Sequence, residues 1–325
     1  MKQFYPLKLK SVCKSPIWSG ERLKRAWGKQ SESTTVGESW ELTVRCDEVC
    51  TVENGHFKGQ TLSAVIKAHR KELLGELAVA PVFPILIKLI DAAQPLSVQV
   101  HPDDEYAKRV ENDRGKTEVW HILEADEGAE LLYGLADGIT AEDFAKGVRE
   151  GNTEALLHHQ RVQAGETYFI PSGMPHAIGK GILLAEVQQN CDLTYRVYDY
   201  NRTDANGKPR ELHIEKALDV IRPFGDDEVN SIRFARRNGQ SDSPNLLADC
   251  PYFGALRVEL NENPTPLEQE GRMRHLLCVK GKGSLHHADG SMDFSKGDSI
   301  LLPACLAGVT ATGEGELLLS WGYAE

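Results

Sequence analysis

No stretch of about eighteen consecutive apolar residues occurs in the 325-residue chain, so no segment reads as a membrane-spanning helix. The opening Met-Lys-Gln-Phe-Tyr-Pro-Leu-Lys lacks the apolar centre of a secretory leader, which leads us to expect a cytoplasmic protein. Cysteine is scarce as a framework element. The seven cysteines are odd in number and scattered, with no Cys-x-x-Cys pair, so reduced and mostly buried thiols are expected rather than disulfides. Cationic excess is missing too. With 37 Lys and Arg against 48 Asp and Glu, the formal charge is −11, which argues against nucleic acid and anionic membranes as partners. An anionic small molecule could bind only where local cations overcome that field. The remaining composition, 41% apolar and 26% charged, is that of a globular protein long enough for one large domain or two closely packed ones.

What is present centres on Gln94 to Leu123. From Leu96 to His101, apolar Leu96, Val98 and Val100 alternate with Ser97, Gln99 and His101, the period of a β-strand, and Pro102 ends it. Such a strand ordinarily has one face in water. A second segment points elsewhere. Gly165 to Lys180 runs Gly, five residues, Pro171, one residue, Gly173, two residues, His176: a strand rising to a turn, with a histidine entering the next strand. A histidine aimed into a barrel, with another histidine and a carboxylate available, is a metal-site arrangement.

Around these segments, Phe83 to Ile90 reads as a buried strand interrupted by Lys88, which must snorkel or find an anion. Glu38 to Val44 reads as a strand. Helices are expected over Thr61–Glu76, with Thr61 or Ser63 as N-cap, over a short stretch from Asp103, over Thr140–His159 with a break near Gly151, and over Glu211–Asp219. Residues 224–248 are polar and read as a connection. Beyond Tyr252 short strands recur, and Gly297 to Pro303 repeats the spacing of 165–171 without a following histidine. His286 and His287, beside a turn signature, are expected at the surface.

The Gly165–His176 pattern resembles the second cupin motif, although Lys180 stands where an Asn is usual. Leu96-Ser-Val-Gln-Val-His-Pro-Asp103, Gly115-Lys-Thr-Glu118, Pro175-His176-Ala177, Glu186 and Arg196, with Gly37-Glu-Ser-Trp-Glu41 and Lys88, together resemble the type I mannose-6-phosphate isomerases. The match covers most of residues 1–202 and is nearest the short bacterial form. The resemblance implies a mainly β, cupin-type double jelly roll with a few short helices. Residues 1–223 would be the catalytic metal-binding roll and 224–325 a second, degenerate roll without a metal.

It further implies one Zn²⁺ per chain, held by Gln99, His101, Glu118 and His176. Arg196, Lys116 and Glu186 are then expected in catalysis. The Arg196 fork would hold enediolate or phosphate oxygens, and Glu186 would act as acid/base or orient a lysine. Lys88 and Ser97 are expected as substrate contacts, to phosphate or hydroxyl. His121, three residues from Glu118 on one strand, should face the other way. The reaction implied is interconversion of mannose 6-phosphate and fructose 6-phosphate through an enediol. An Fe(II) cupin oxygenase and a non-catalytic sugar-phosphate-binding cupin are the alternatives, and a monomer or weak homodimer is expected. A large helical insertion of the long relatives is missing or reduced between Glu118 and His176.

Overall fold

The computed structural model describes residues 4–203, 206–236, 244–267 and 271–324. Two sheets enclose the first half. One is five-stranded, in the order Leu157–Arg161, Glu130–Leu135, His176–Ile178, Val98–Val100, Tyr195–Tyr198, with antiparallel neighbours. Its outward set, including Leu132, Val98, Val100, Ala177 and Val197, is buried with Phe144 and Val148 of the Ala141–Glu150 helix and Ala217 of the Ile214–Val220 helix. That cover changes the meaning of the alternation at Leu96–His101. The apolar face meets helices, and the polar face turns into the molecule, not into water.

The facing sheet is six-stranded, in the order Thr167–Ile170, Glu118–Ala125, Ile182–Gln189, Ile85–Ala92, Glu38–Leu42, Val12–Lys14. Ile85–Ala92 and Ile182–Gln189 are buried along their whole lengths, as near-continuous apolar runs require. The outer face of this sheet meets the second half of the chain. His121 points there, its Nε2 3.5 Å from Glu316 Oε1, and so faces away from Glu118 as its spacing predicts.

The second half supplies seven strands of a nine-stranded antiparallel sheet built on the long Arg274–His287 and Thr310–Gly322 strands, and Thr51–Val52 of the first half lies at one end of it. Its interior is filled by apolar groups, among them Leu276, Leu285, Phe294, Ile300, Leu317 and Leu319. The N-terminal Leu7–Lys10 strand belongs to this sheet, with Leu7 paired to Leu301. The fold is a mainly β double jelly roll with short helices, and no helix among the described residues is long and apolar enough to cross a membrane.

Local expectations fare unevenly. Thr61 caps its helix by accepting from the Ala64 amide, but the helix breaks at His69 into Leu62–Ala68 and Arg70–Leu74. The Thr140 stretch forms an α-helix over Ala141–Glu150 and a single 3-10 turn over Glu154–Leu156. Gly151 adopts a left-handed conformation (φ 78°) that makes the expected break, but Leu157–Arg161, where Leu157 extends the helical apolar spacing of Phe144, Val148 and Leu156, is an edge strand. Residues 224–248 include a helix, Asp226–Arg233, opened by three acidic residues, where polarity suggested only a connection; residues 237–243 of that stretch lie outside the described residues. His286 and His287 are half-buried in a hairpin rather than fully exposed, and His286 Nε2 lies 2.9 Å from Thr312 Oγ1.

Candidate metal centre and active site

The site lies between the inner faces of the first two sheets. Two glycines fix its frame. A Cβ on Gly115 would come within 2.5 Å of the Asp103–Asp104 backbone, so only glycine allows the close approach that sets Lys116 and Glu118 at the start of their strand. Gly173, at φ 89°, makes the turn that delivers His176, and a Cβ there would meet the Val220 carbonyl at 2.9 Å.

His101, Glu118 and His176 converge, each essentially without solvent exposure. Each imidazole Nδ1 lies 2.8 Å from a backbone carbonyl, His101 from Leu193 and His176 from Met174. Those carbonyls can only accept, so each Nδ1 carries the proton and each Nε2 presents a lone pair. The two Nε2 atoms lie 3.8 and 3.4 Å from the same oxygen, Glu118 Oε1. His101 Nε2 and Glu118 Oε1 are buried with no hydrogen-bond partner. Buried acceptors aimed at one another across such a gap are costly unless something positive fills it. A divalent cation fits that requirement. The Gln99 amide stands beside them, its Nε2 3.5 Å from His176 Nε2, on the strand residue in register with His176. Burial, reinforced by the Lys116 charge, drives the His101 pKa well below the ordinary value. Burial likewise lowers His176 to about 4, so both rings stay neutral and able to ligate.

Beside this group a charged row crosses the six-stranded sheet. Trp40, Lys88, Glu186 and Trp120 are successive partners in register on four neighbouring strands, so all four project inward. The Lys88 ammonium, expected to snorkel or find an anion, finds three: it lies 3.6 Å from Glu186, 3.6 Å from Asp192 and 3.8 Å from Glu38. Burial would strip its proton, but Glu38 and Glu186 outweigh burial and raise its pKa. Lys116 sits 3.0 Å from Glu118 Oε2; there too burial is outweighed, by Glu118 and then Glu186, and the ammonium is held above the usual lysine value. The Glu186 pKa is raised, first by burial and then by Glu118, against Lys116, Lys88 and the Trp120 N–H.

These groups open into a cavity of about 310 Å³ lined also by Trp18, Ser97, Gln99, Asp192, Arg196 and Arg210. Arg196 donates from Nε to Ser97 Oγ (3.3 Å) and from Nη1 to the Glu211 carbonyl (2.8 Å), both neutral acceptors. Burial and the neighbouring Arg210 charge lower its pKa. Asp199 holds Arg210 and Arg202 by ion pairs.

All nine residues singled out in the sequence thus lie in or beside one cavity. Sequence reasoning missed Glu38, Trp120, Asp192 and Arg210 as site residues. A buried lysine in an apolar run at Lys88 was the one local signal for partner carboxylates, whereas nothing local marks Arg210, which lines the cavity next to the isolated Thr203–Pro209 bridge.

The type I phosphomannose isomerase catalytic domain matches residues 7–129, and the mannose-6-phosphate isomerase cupin domain matches residues 244–321. The mannose-6-phosphate isomerase ManA of Bacillus subtilis is 39% identical over 320 residues, 97% of this chain and 98% of the relative. The chain belongs to the type I mannose-6-phosphate isomerase family. A mannose-6-phosphate isomerase of Streptococcus mutans is 35% identical, with 97% and 98% of the two chains covered. The crystal structure of the mannose 6-phosphate isomerase from Bacillus subtilis superposes with a TM-score of 0.85 at 32% identity, covering 97% of this chain and 99% of that one. A phosphomannose isomerase from Salmonella typhimurium, 18% identical with a TM-score of 0.79, shares the fold over 98% of this chain.

Proposed function

We propose that this protein interconverts mannose 6-phosphate and fructose 6-phosphate, with Gln99, His101, Glu118 and His176 holding one Zn²⁺. The observation that carries the reading is the convergence of two neutral imidazoles on an unpartnered Glu118 oxygen, walled by four cationic side chains, in a member of this family. When bound, the metal would supply Lewis-acid stabilisation of negative charge on the sugar oxygens.

The isomerisation is redox-neutral. The C2–H bond breaks and a proton reaches O1 to give the enediol; the O2 proton then leaves as a C1–H bond forms. Glu186 is the candidate to accept and return the carbon-bound proton, because burial and Glu118 raise its pKa toward that task and Oε1 lacks a hydrogen bond. Lys88, charged and 3.6 Å away, would restrain the hydroxyl oxygens and favour the Glu186 anion once the substrate is bound. Lys116 would offset charge growing beside Glu118.

Charge balance locates the phosphate. Lys88 is surrounded by three carboxylates, and Lys116 is paired with Glu118. Arg196 donates to neutral acceptors and, with Arg202 and Arg210, outnumbers the nearby Asp199 and Glu211 carboxylates, so this wall keeps the surplus positive charge that a dianion needs in a chain of net charge −11. Ser97 would add a hydroxyl contact. An oxygenase reading uses none of these cations.

A coupled assay with mannose 6-phosphate, with and without chelator, tests the reading. Turnover abolished by chelation is expected; no turnover in the fully metallated protein would refute it.

A further inference from the structure

We propose that Trp120 is a positioning residue for Glu186, acting through its indole N–H and not only by filling the core. This rests on the reading of Glu186 as the acid/base group. Trp120 has no solvent exposure and stands directly across from Glu186 in register. Its Nε1 donates to Glu186 Oε2 at 2.8 Å. That leaves the other carboxylate oxygen, Oε1, without a hydrogen bond and 3.6 Å from the Lys88 ammonium. One oxygen is anchored and the other presented. A carboxylate held at one end loses most of its freedom to rotate, and an oriented proton acceptor gains rate from that restriction.

The opposite end of the row repeats the device. Trp40 Nε1 donates to Glu38 Oε2 at 2.6 Å, and the Trp40 ring lies 4.8 Å beneath Lys88 Nζ. Lys88 therefore lies between two carboxylates, each gripped by an indole, Glu186 by Trp120 of the neighbouring strand and Glu38 by Trp40 of its own strand. A core tryptophan needs one partner for its N–H when buried. Here both partners are carboxylates that line the cavity. Trp120 also touches the metal group: its ring meets the His176 ring edge-on, centroids 5.3 Å apart at 79°. The substitution that tests the N–H must therefore keep a ring.

Trp120→Phe retains an aromatic ring and deletes the donor. Three readouts on purified protein decide the matter: kcat and KM with mannose 6-phosphate, solvent deuterium incorporated at the substrate carbon, and bound metal. We expect kcat to fall by roughly 10- to 100-fold with KM within about twofold, deuterium incorporation to slow in proportion, and metal content to stay at the wild-type level. In a Glu186→Gln background the same change should have little further effect, because the two act as one unit. A purely structural tryptophan would lower stability and the active fraction in both backgrounds, and equal losses in both would overturn the proposal. Unchanged kcat would overturn it as well. Lost metal would do the same, since Trp120 would then act through His176. If Glu186→Gln itself turns over normally, the assignment of Glu186 fails first, and inactive wild-type protein would reject the isomerase reading instead.

Discussion

At the scale of single residues, anchoring and chemistry fall to different side chains. Arg196 and Arg210 are assigned to the phosphate because Arg196 donates to neutral acceptors and, with Arg202 and Arg210, outnumbers the nearby Asp199 and Glu211 carboxylates. Losing hydrogen bonds to a charged group costs about 1.5–3 kcal/mol, so Arg196→Ala should raise KM roughly 10- to 100-fold and largely spare kcat at saturating substrate. Lys88 sits deep among carboxylates, and Lys88→Met should do the reverse, lowering kcat on the order of 10²-fold with a small change in KM. Steady-state kinetics on both variants, after metal content is checked, distinguishes the two; a swapped pattern would exchange the roles.

Another residue-scale prediction concerns pH. His275 is fully buried, its Nε2 2.7 Å from Ser299 Oγ, which itself donates to the Glu41 carbonyl. Its Nδ1 has no hydrogen-bond partner, and burial, reinforced by Lys29, lowers its pKa to about 3. The unfolded chain binds the proton first, near pH 6.5, so His275 costs nothing above that value, and stability is lost as pH falls from there toward 3. At pH 5 the loss is about 2 kcal/mol from this residue. Denaturant unfolding at pH 7 and pH 5 should show a smaller difference in His275→Gln than in wild type; equal differences would remove His275 as the cause.

Single elements show what a cap contributes and how much of the structure was legible. Thr140 and Asp143 form a reciprocal capping box at the start of the Ala141–Glu150 helix, which covers the five-stranded sheet away from the site. Thr140→Ala should cost about 1 kcal/mol in unfolding free energy and leave kcat/KM unchanged. A change in kinetics would mean that the helix controls the sheet beneath. The period-two pattern at Leu96–His101 and the glycine-proline-histidine spacing made the ligand strands readable, because each face of a strand records what lies against it. Helix lengths were harder to read. His69 breaks one helix that has continuous apolar spacing, and Leu157–Arg161 pairs at a sheet edge that only tertiary structure supplies. Arg210 and Asp192 reach the cavity by loop paths that leave no periodic trace.

The whole molecule ties its halves together more tightly than a boundary near residue 223 suggests. The first strand completes the distal sheet, and Lys29 Nζ, 2.7 Å from Glu41 Oε2, also donates to the Gly297 carbonyl. Truncation near Asp249 would strip the Leu7–Lys10 strand of its Ser299–Leu302 partner and uncover the outer face of the six-stranded sheet. An apolar patch of more than several hundred Å² drives association, so residues 1–249 should be insoluble or aggregated; a soluble active fragment would show independent rolls.

The central claim, that the buried His101, Glu118 and His176 group with Gln99 makes the protein a metal-dependent isomerase of mannose 6-phosphate, meets its most direct test in a titration. Metal-stripped protein is titrated with Zn²⁺ while heat of binding and turnover are followed on the same samples. The account predicts no turnover without metal, one binding event per chain, and activity that rises in step and stops at one equivalent, with both signals lost in His176→Ala. Full turnover in the metal-free protein, or saturation of the site without turnover, would contradict it.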